Sequence, residues 1–305
     1  MLEGYAVLSL IYESETSIIH RATRDQDGVP VILKSLKGQC PSPEEYLRYR
    51  HEYQITRQLD NAAGVIRALG LSAGDSLTIV LEDFGGESLK SLIALHPLPL
   101  RNALALAIHI ARALDEIHAA RVIHKDINPS NIVCNLQKDQ VKIIDFGIST
   151  CLPQENPAPQ SILALEGTLA YLSPEQTGRM NRAVDQRTDT YSLGATLYHL
   201  LVGQPPFSSE DPMELVHCHM AKQPIAPHVQ NPEIPQVLSE MVLRLMAKVP
   251  EDRYQTMRGL VHDLNECLVQ LSRLGEVRHF EIGARDRSER LMISQKLYGM
   301  ADIGV

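Results

Sequence analysis

The feature that most constrains this chain is a change of hydrophobic period at the end of its first third. Up to residue 84, short β-branched runs dominate, at 7–11, 17–20, 29–33 and 77–81, and Asp27-Gly28 between two of them is a hairpin signal. Within this part, Pro41-Ser42-Pro43 opens a polar helical segment reaching about Leu59, with Ser42 as its N-cap. The pattern breaks at Phe84-Gly85-Gly86. Beyond it, Leu104, Ile108, Ala111, Leu114 and Ile117 recur at helical spacing, and further helical patterns lie near 189–202, 211–221, 236–247 and 256–273. Two short strand-like pieces, 132–134 and 141–144, interrupt them, and a Pro-rich loop follows at 153–159. The layout predicts an α+β molecule of two lobes with a cleft between them. The small lobe takes 1–84, the helical lobe 85–273, and the polar, aperiodic stretch 274–305 reads as a linker or tail.

Composition excludes several classes. Hydrophobic residues make up 44% of 305, enough for a core without disulfide staples. Lys plus Arg number 29 against 37 Asp plus Glu, a net charge of -8, and no basic stripe points to nucleic acid. The five cysteines, Cys40, Cys134, Cys151, Cys218 and Cys267, form no C-x-x-C pair and read as reduced thiols of a cytoplasmic protein. His217-Cys218-His219 is a poor metal site, because neighbours on one helix point apart. The start lacks a signal-peptide pattern, and no apolar run is long enough to span a membrane.

Chemistry concentrates in His124-Lys125-Asp126-Ile127-Asn128-Pro129-Ser130-Asn131, followed by Asp145-Phe146-Gly147 directly behind a strand-like run. Asp126 and Asn131 on one tight loop bring a carboxylate and an amide oxygen into one cleft. Magnesium is a hard ion that takes oxygen ligands and keeps waters, so Asn131 and Asp145 make a sensible pair for it. Asp126 is then available to orient an attacking hydroxyl and accept its proton.

These segments resemble the catalytic loop and D-F-G motif of eukaryotic-type serine/threonine protein kinases, and other parts of that family follow in order. Val31-Ile32-Leu33-Lys34 resembles the V-A-I-K strand, with Lys34 on the α- and β-phosphates of ATP. Glu52 resembles the helical partner of that lysine, although Glu44 and Glu45 lie close by in sequence. Ser173-Pro174-Glu175 resembles A-P-E, preceded by Gly167-Thr168, whose hydroxyl the resemblance places on the catalytic Asp. Asp189-Thr190-Tyr191-Ser192-Leu193-Gly194 and Pro250-Glu251-Asp252-Arg253 resemble the later D-x-W-S-L-G and P-x-x-R segments, the Arg pairing with Glu175. The resemblance covers about 5–270. It implies the protein kinase fold, with Leu81 as gatekeeper, the Glu82 and Phe84 backbones facing adenine, and Ile11 and Ile19 beside the nucleotide. His124 it makes structural. Ser149, Thr150, Ser161 and Thr168 are candidate autophosphorylation sites.

The chain departs from the family at three places. The glycine-rich loop falls on Tyr12-Glu13-Ser14-Glu15-Thr16-Ser17-Ile18-Ile19, with no glycine and two added carboxylates, which implies weaker ATP binding. Lys125 stands in place of an Arg, and Asn128 in place of a Lys that touches the γ-phosphate. The missing glycines and Asn128 favour a second reading, a pseudokinase scaffold, while the Gly167-Thr168 and Ser173-Pro174-Glu175 stretch speaks against a third, a small-molecule phosphotransferase. Residues 293–299 resemble the linker after the kinase domain of large bacterial signalling proteins that continue into ATPase and sensor modules. The expected partners are therefore ATP, magnesium, protein substrates and such modules, with neither nucleic acid nor membrane.

Overall fold

A computed structural model describes residues 3–38, 42–73, 76–95, 98–151, 169–179 and 182–287. Thr168, Gly167, Ser161, Cys40, the 153–159 loop and the 293–299 segment lie outside the described residues.

The strand-rich part is one antiparallel sheet. Its strands are β1 (Tyr5–Glu13), β2 (Ser17–Arg24), β3 (Pro30–Leu36), β4 (Ala68–Ala73) and β5 (Leu77–Glu82), in the order β1-β2-β3-β5-β4. Gly28, at a φ of 69°, makes the turn between β2 and β3. Helix α1 (Pro43–Gln58) packs against this sheet. It starts where the sequence says it should: the Ser42 hydroxyl accepts from the Glu45 N–H, and the Glu45 carboxylate accepts from the Ser42 N–H. Tyr49, Glu52 and Thr56, spaced three and four apart, share its buried face.

Beyond Gly85, whose φ is 75°, the chain becomes helical. A short strand β6 (Glu87–Ser88) and helix α2 (Leu89–Leu95) lead into α3 (Leu100–Ala119). The apolar stripe of α3 is the axis of the large core, touching the helices that follow and the hairpin beside it. Strands β7 (Val122–Ile123), β8 (Ile132–Asn135), β9 (Gln140–Ile143) and β10 (Thr150–Cys151) frame the loops at 124–131 and 145–149. Helices α4 (Arg187–Val202), α5 (Pro212–Ala221), α6 (Pro227–Gln230), α7 (Gln236–Leu245) and α8 (Met257–Leu274) complete the lobe. α4 is buried on nearly all sides, with the polar Thr188, Asp189, Ser192 and Thr196 buried as fully as its apolar residues, so it has no polar outer face. Gly194 makes this possible: a methyl there would lie 2.7 Å from Leu245 Cβ and 2.8 Å from Met246 Cγ on or beside α7.

The stretch from 274, expected as a linker or tail, is docked as far as residue 287. Val277, Phe280 and Ile282 pack on the large core. The Asp286 carboxylate accepts from the N–H groups of Gln255 and Thr256 and from the Thr256 hydroxyl, at 2.8–2.9 Å. It thereby fixes Thr256, the N-cap residue of α8, whose hydroxyl accepts from the Gly259 N–H. Arg244 donates to the Ile282 carbonyl at 3.0 Å, and Gly283 N–H donates to Asp263 at 2.6 Å. Isolated apolar residues without a period gave no sequence signal for this strap. Among the described residues, no helix is long and apolar enough to cross a membrane.

Candidate active site

The site forms where the sheet, α1 and the two loops meet. Lys34 is central in β3, and its ammonium contacts both Glu52 oxygens at 2.7 and 2.8 Å and Asp145 Oδ2 at 3.2 Å. Of the three glutamates in this region, Glu52 alone faces the sheet; Glu45 is consumed in the cap and Glu44 is exposed. Burial disfavours the Lys34 charge, but the Asp145 and Glu52 carboxylates outweigh it and hold the ammonium above its ordinary range. Asp145 sits at a φ of 65°, and its Oδ1 accepts from the Gly147 N–H. Burial opposes its ionisation, while Lys34 and Arg48 bring it down to about 2, so it is a carboxylate at every working pH. Arg48 was not singled out in the sequence. One turn before Glu52, it lies against Gly147, where an added methyl would come within 2.9 Å of its Nε.

The loop at 124–131 is held from below. Asp189, fully buried at the start of α4, accepts from the N–H groups of His124 and Lys125 and bonds the His118 ring. His124 is buried too. Its Nδ1 faces the Asp126 N–H and therefore accepts, which leaves Nε2–H to donate to the Ile144 carbonyl at 3.0 Å. Burial pushes the ring's pKa down, consistent with this neutral tautomer and with a structural role. Its ring edge meets Phe146, 4.8 Å between centroids. The Asp126 carboxylate above it accepts from Asn131 Nδ2 at 2.7 Å and from Asn128 Nδ2 at 2.9 Å. Burial and the neighbouring Asp145 charge push Asp126 up to about 7, against those two hydrogen bonds.

Asn131 gives its amino group to Asp126, which leaves Oδ1 as a donor for a cation beside the ionised Asp145. One carboxylate and one amide oxygen suit a divalent ion that keeps several waters. Among the described residues, no cluster of three or more His, Cys, Asp or Glu forms a separate metal site. In the 217–219 segment, the His219 ring is buried and bonds the Tyr191 hydroxyl at 3.0 Å.

Around the cleft, Ile19 pairs with Lys34 across β2 and β3 and so shares its face, and Leu81 is buried in β5. Ile11 is 48% exposed, at a register shift in β1. The Phe84 carbonyl accepts from Asn135 at 2.8 Å and from Lys138 at 3.1 Å, so both its lone pairs are used within the protein. The Phe84 N–H is then the group for the adenine contact that the resemblance implies. The Glu82 carboxylate accepts from Lys142 and the Arg67 N–H. Of the candidate phosphorylation sites, Ser149 is buried and donates to the Phe146 carbonyl, which withholds its hydroxyl.

The glycine-free loop is a tight hairpin. Ser14 N–H donates to the Ser17 carbonyl, and Ser17 N–H to the Ser14 hydroxyl. Lys37 bonds the Glu13 carboxylate at 2.6 Å and the Ser14 carbonyl at 2.9 Å, and Tyr49 donates to the Ser17 hydroxyl at 2.7 Å. Glu13 is thus paired with a cation instead of standing bare over the cleft.

A lysine tied to a helical glutamate and to the D-F-G aspartate is the arrangement the motifs implied. Residues 5–264 match the model of the protein kinase domain. The chain belongs to the protein kinase family. It is 35% identical to the serine/threonine-protein kinase PknB of Mycobacterium leprae over 86% of its own length and 41% of that protein's. It is 34% identical to a probable serine/threonine-protein kinase of Streptomyces coelicolor, over 82% and 38%, and 31% identical to one of Clostridium perfringens, over 86% and 38%. The chain spans about two fifths of the length of these relatives.

Proposed function

We propose that this chain is a serine/threonine protein kinase that transfers the γ-phosphoryl of ATP, as its magnesium complex, to Ser or Thr hydroxyls of proteins in signal transduction. The observation that carries this reading is the convergence of Lys34, Glu52 and Asp145 on one side of the cleft with the Asp126–Asn131 pair on the other. In it, Glu52 holds Lys34 so that its ammonium meets phosphate oxygens. Asp145 and Asn131 Oδ1 would hold magnesium, which when bound offsets phosphate charge. Asp126 orients the acceptor hydroxyl and takes its proton. Phosphoryl transfer asks for little covalent chemistry, so positioning and charge do most of the work. Thr168, Ile11, Ile19, Glu82 and Phe84 keep the roles that the family resemblance gives them, with Phe84 acting through its N–H. Protein substrates, further modules of ATPase and sensor type and a cytoplasmic setting belong to the same proposal.

The hairpin at 13–17 favours the second reading, a scaffold that binds ATP poorly. Two of its N–H groups are used internally, so fewer remain for phosphate than in a glycine-rich loop. Labelled Mg-ATP with generic protein substrates, run beside Asp126→Asn, separates the readings. Label on protein that the substitution abolishes supports the kinase; ATP binding with no transfer by the wild type supports the scaffold.

A further inference from the structure

Asn128 stands where a cationic side chain is usual in this family, and its geometry shows what the amide does instead. Its Oδ1 accepts from the Ser130 N–H at 2.8 Å, which fixes which end of the amide is nitrogen. The Nδ2 end must then face Asp126. There it donates to the Asp126 backbone carbonyl at 3.1 Å and to carboxylate Oδ1 at 2.9 Å. Asn131 mirrors it, donating to the same carbonyl at 2.9 Å and to the other carboxylate oxygen, Oδ2, at 2.7 Å. Each amino group has two protons, and all four are spent on Asp126. The two asparagines are themselves joined, Asn131 N–H to the Asn128 carbonyl at 3.1 Å. Both side chains are buried to within 8% of their full exposure, so water competes poorly for these bonds.

We propose that Asn128 is a positioning residue for phosphoryl transfer: with Asn131 it brackets the Asp126 carboxylate, fixing the rotation about its Cβ–Cγ bond so that a set lone pair on each oxygen faces the acceptor hydroxyl. The inference rests on the kinase reading given above. A carboxylate held by one amide can swing about the remaining bond; held by two, on opposite oxygens, it cannot. Neutral donors do this without placing a charge beside the phosphate. The charge compensation that a lysine would give at this position is absent, and orientation and charge are supplied by different residues: Asn128 with Asn131 for the first, Lys34 for the second.

The test separates orientation from loop integrity. Asn128→Ser keeps a short oxygen able to accept from the Ser130 N–H, but cannot reach the Asp126 carboxylate. Asn128→Lys restores a donor long enough to reach it. With a peptide acceptor, Asn128→Ser is expected to lower kcat about 10- to 100-fold, with KM for Mg-ATP within about twofold of wild type. Asn128→Lys is expected to recover most of that loss although it gives up the bond from the Ser130 N–H; the melting temperature of Asn128→Ser and the binding of a non-hydrolysable ATP analogue by both variants should match wild type. Wild-type kcat in Asn128→Ser, or a loss that follows ATP affinity or melting temperature and that Asn128→Lys does not recover, overturns the inference. A wild-type enzyme that binds the analogue yet transfers no phosphoryl overturns the kinase reading and this inference with it.

Discussion

The Arg253 guanidinium grips the Glu175 carboxylate through two hydrogen bonds of 2.7 and 2.9 Å, with neither side chain more than 1% exposed. The remaining protons of Arg253 go to the carbonyls of Ala247, Arg187 and Lys248, and Glu175 also accepts from the Thr188 hydroxyl. The pair joins the turn at Pro174–Thr177 to the segment that leads into α8. Removing one partner strands a buried charge, so Arg253→Met is expected to cost about 3–5 kcal/mol in urea unfolding, far beyond a surface substitution. A cost below about 1 kcal/mol would show that the pair contributes little.

Lys34 depends on Glu52 for its place. Glu52→Gln keeps the shape of the side chain but leaves Asp145 as the sole carboxylate on the ammonium, which would draw Lys34 toward it. Phosphoryl transfer is expected to fall about 100-fold or more in kcat/KM, measured by peptide phosphorylation. Glu45→Gln, altering only the cap, should leave that parameter near wild type.

The protonation state of Asp126 sets a pH limit. It must be ionised to accept a proton, and burial next to the Asp145 charge pushes its pKa up to about 7. Above that pH the free enzyme holds the active carboxylate; below it the protonated form accumulates, and kcat/KM for Mg-ATP should fall about tenfold per pH unit. Asp145, near 2, adds no limb in this range, whereas Glu52, which burial also pushes up to about 7, adds a second one that steepens the fall below that pH. A profile flat down to pH 5 would contradict this assignment.

Helix α4 tolerates no side chain at position 194. Gly194→Ala places a methyl 2.7 Å from Leu245 Cβ, so α4 and α7 must part; a cost of about 1–3 kcal/mol is expected in thermal or denaturant unfolding. The same change at Gly178, with open space around it but a φ of 67°, should cost less, through backbone strain alone.

What could be read in advance follows from physical range. The period change at 84–86, the Ser42 cap and the α3 stripe are local signals, and each marks an element of the fold. Lys34, Glu52, Asp126, Asn131 and Asp145 were legible because motif order encodes their meeting. Strand β4 was missed because Ala68-Leu69-Gly70-Leu71 lacks alternation and β-branching. Asn128 showed only as a departure; that its amide turns onto Asp126 depends on a three-residue turn no pattern announces. Arg48, Asp189 and the Phe84 carbonyl are long-range matters, each decided by partners far away in the chain.

The docked strap gives the domain a mechanical handle. Asp286 holds Gln255 and Thr256, and the Gln255 side chain in turn donates to the carbonyls of Pro250, Glu251 and Arg253. Displacing the strap at Asp286 therefore acts two residues from the arginine that anchors Glu175.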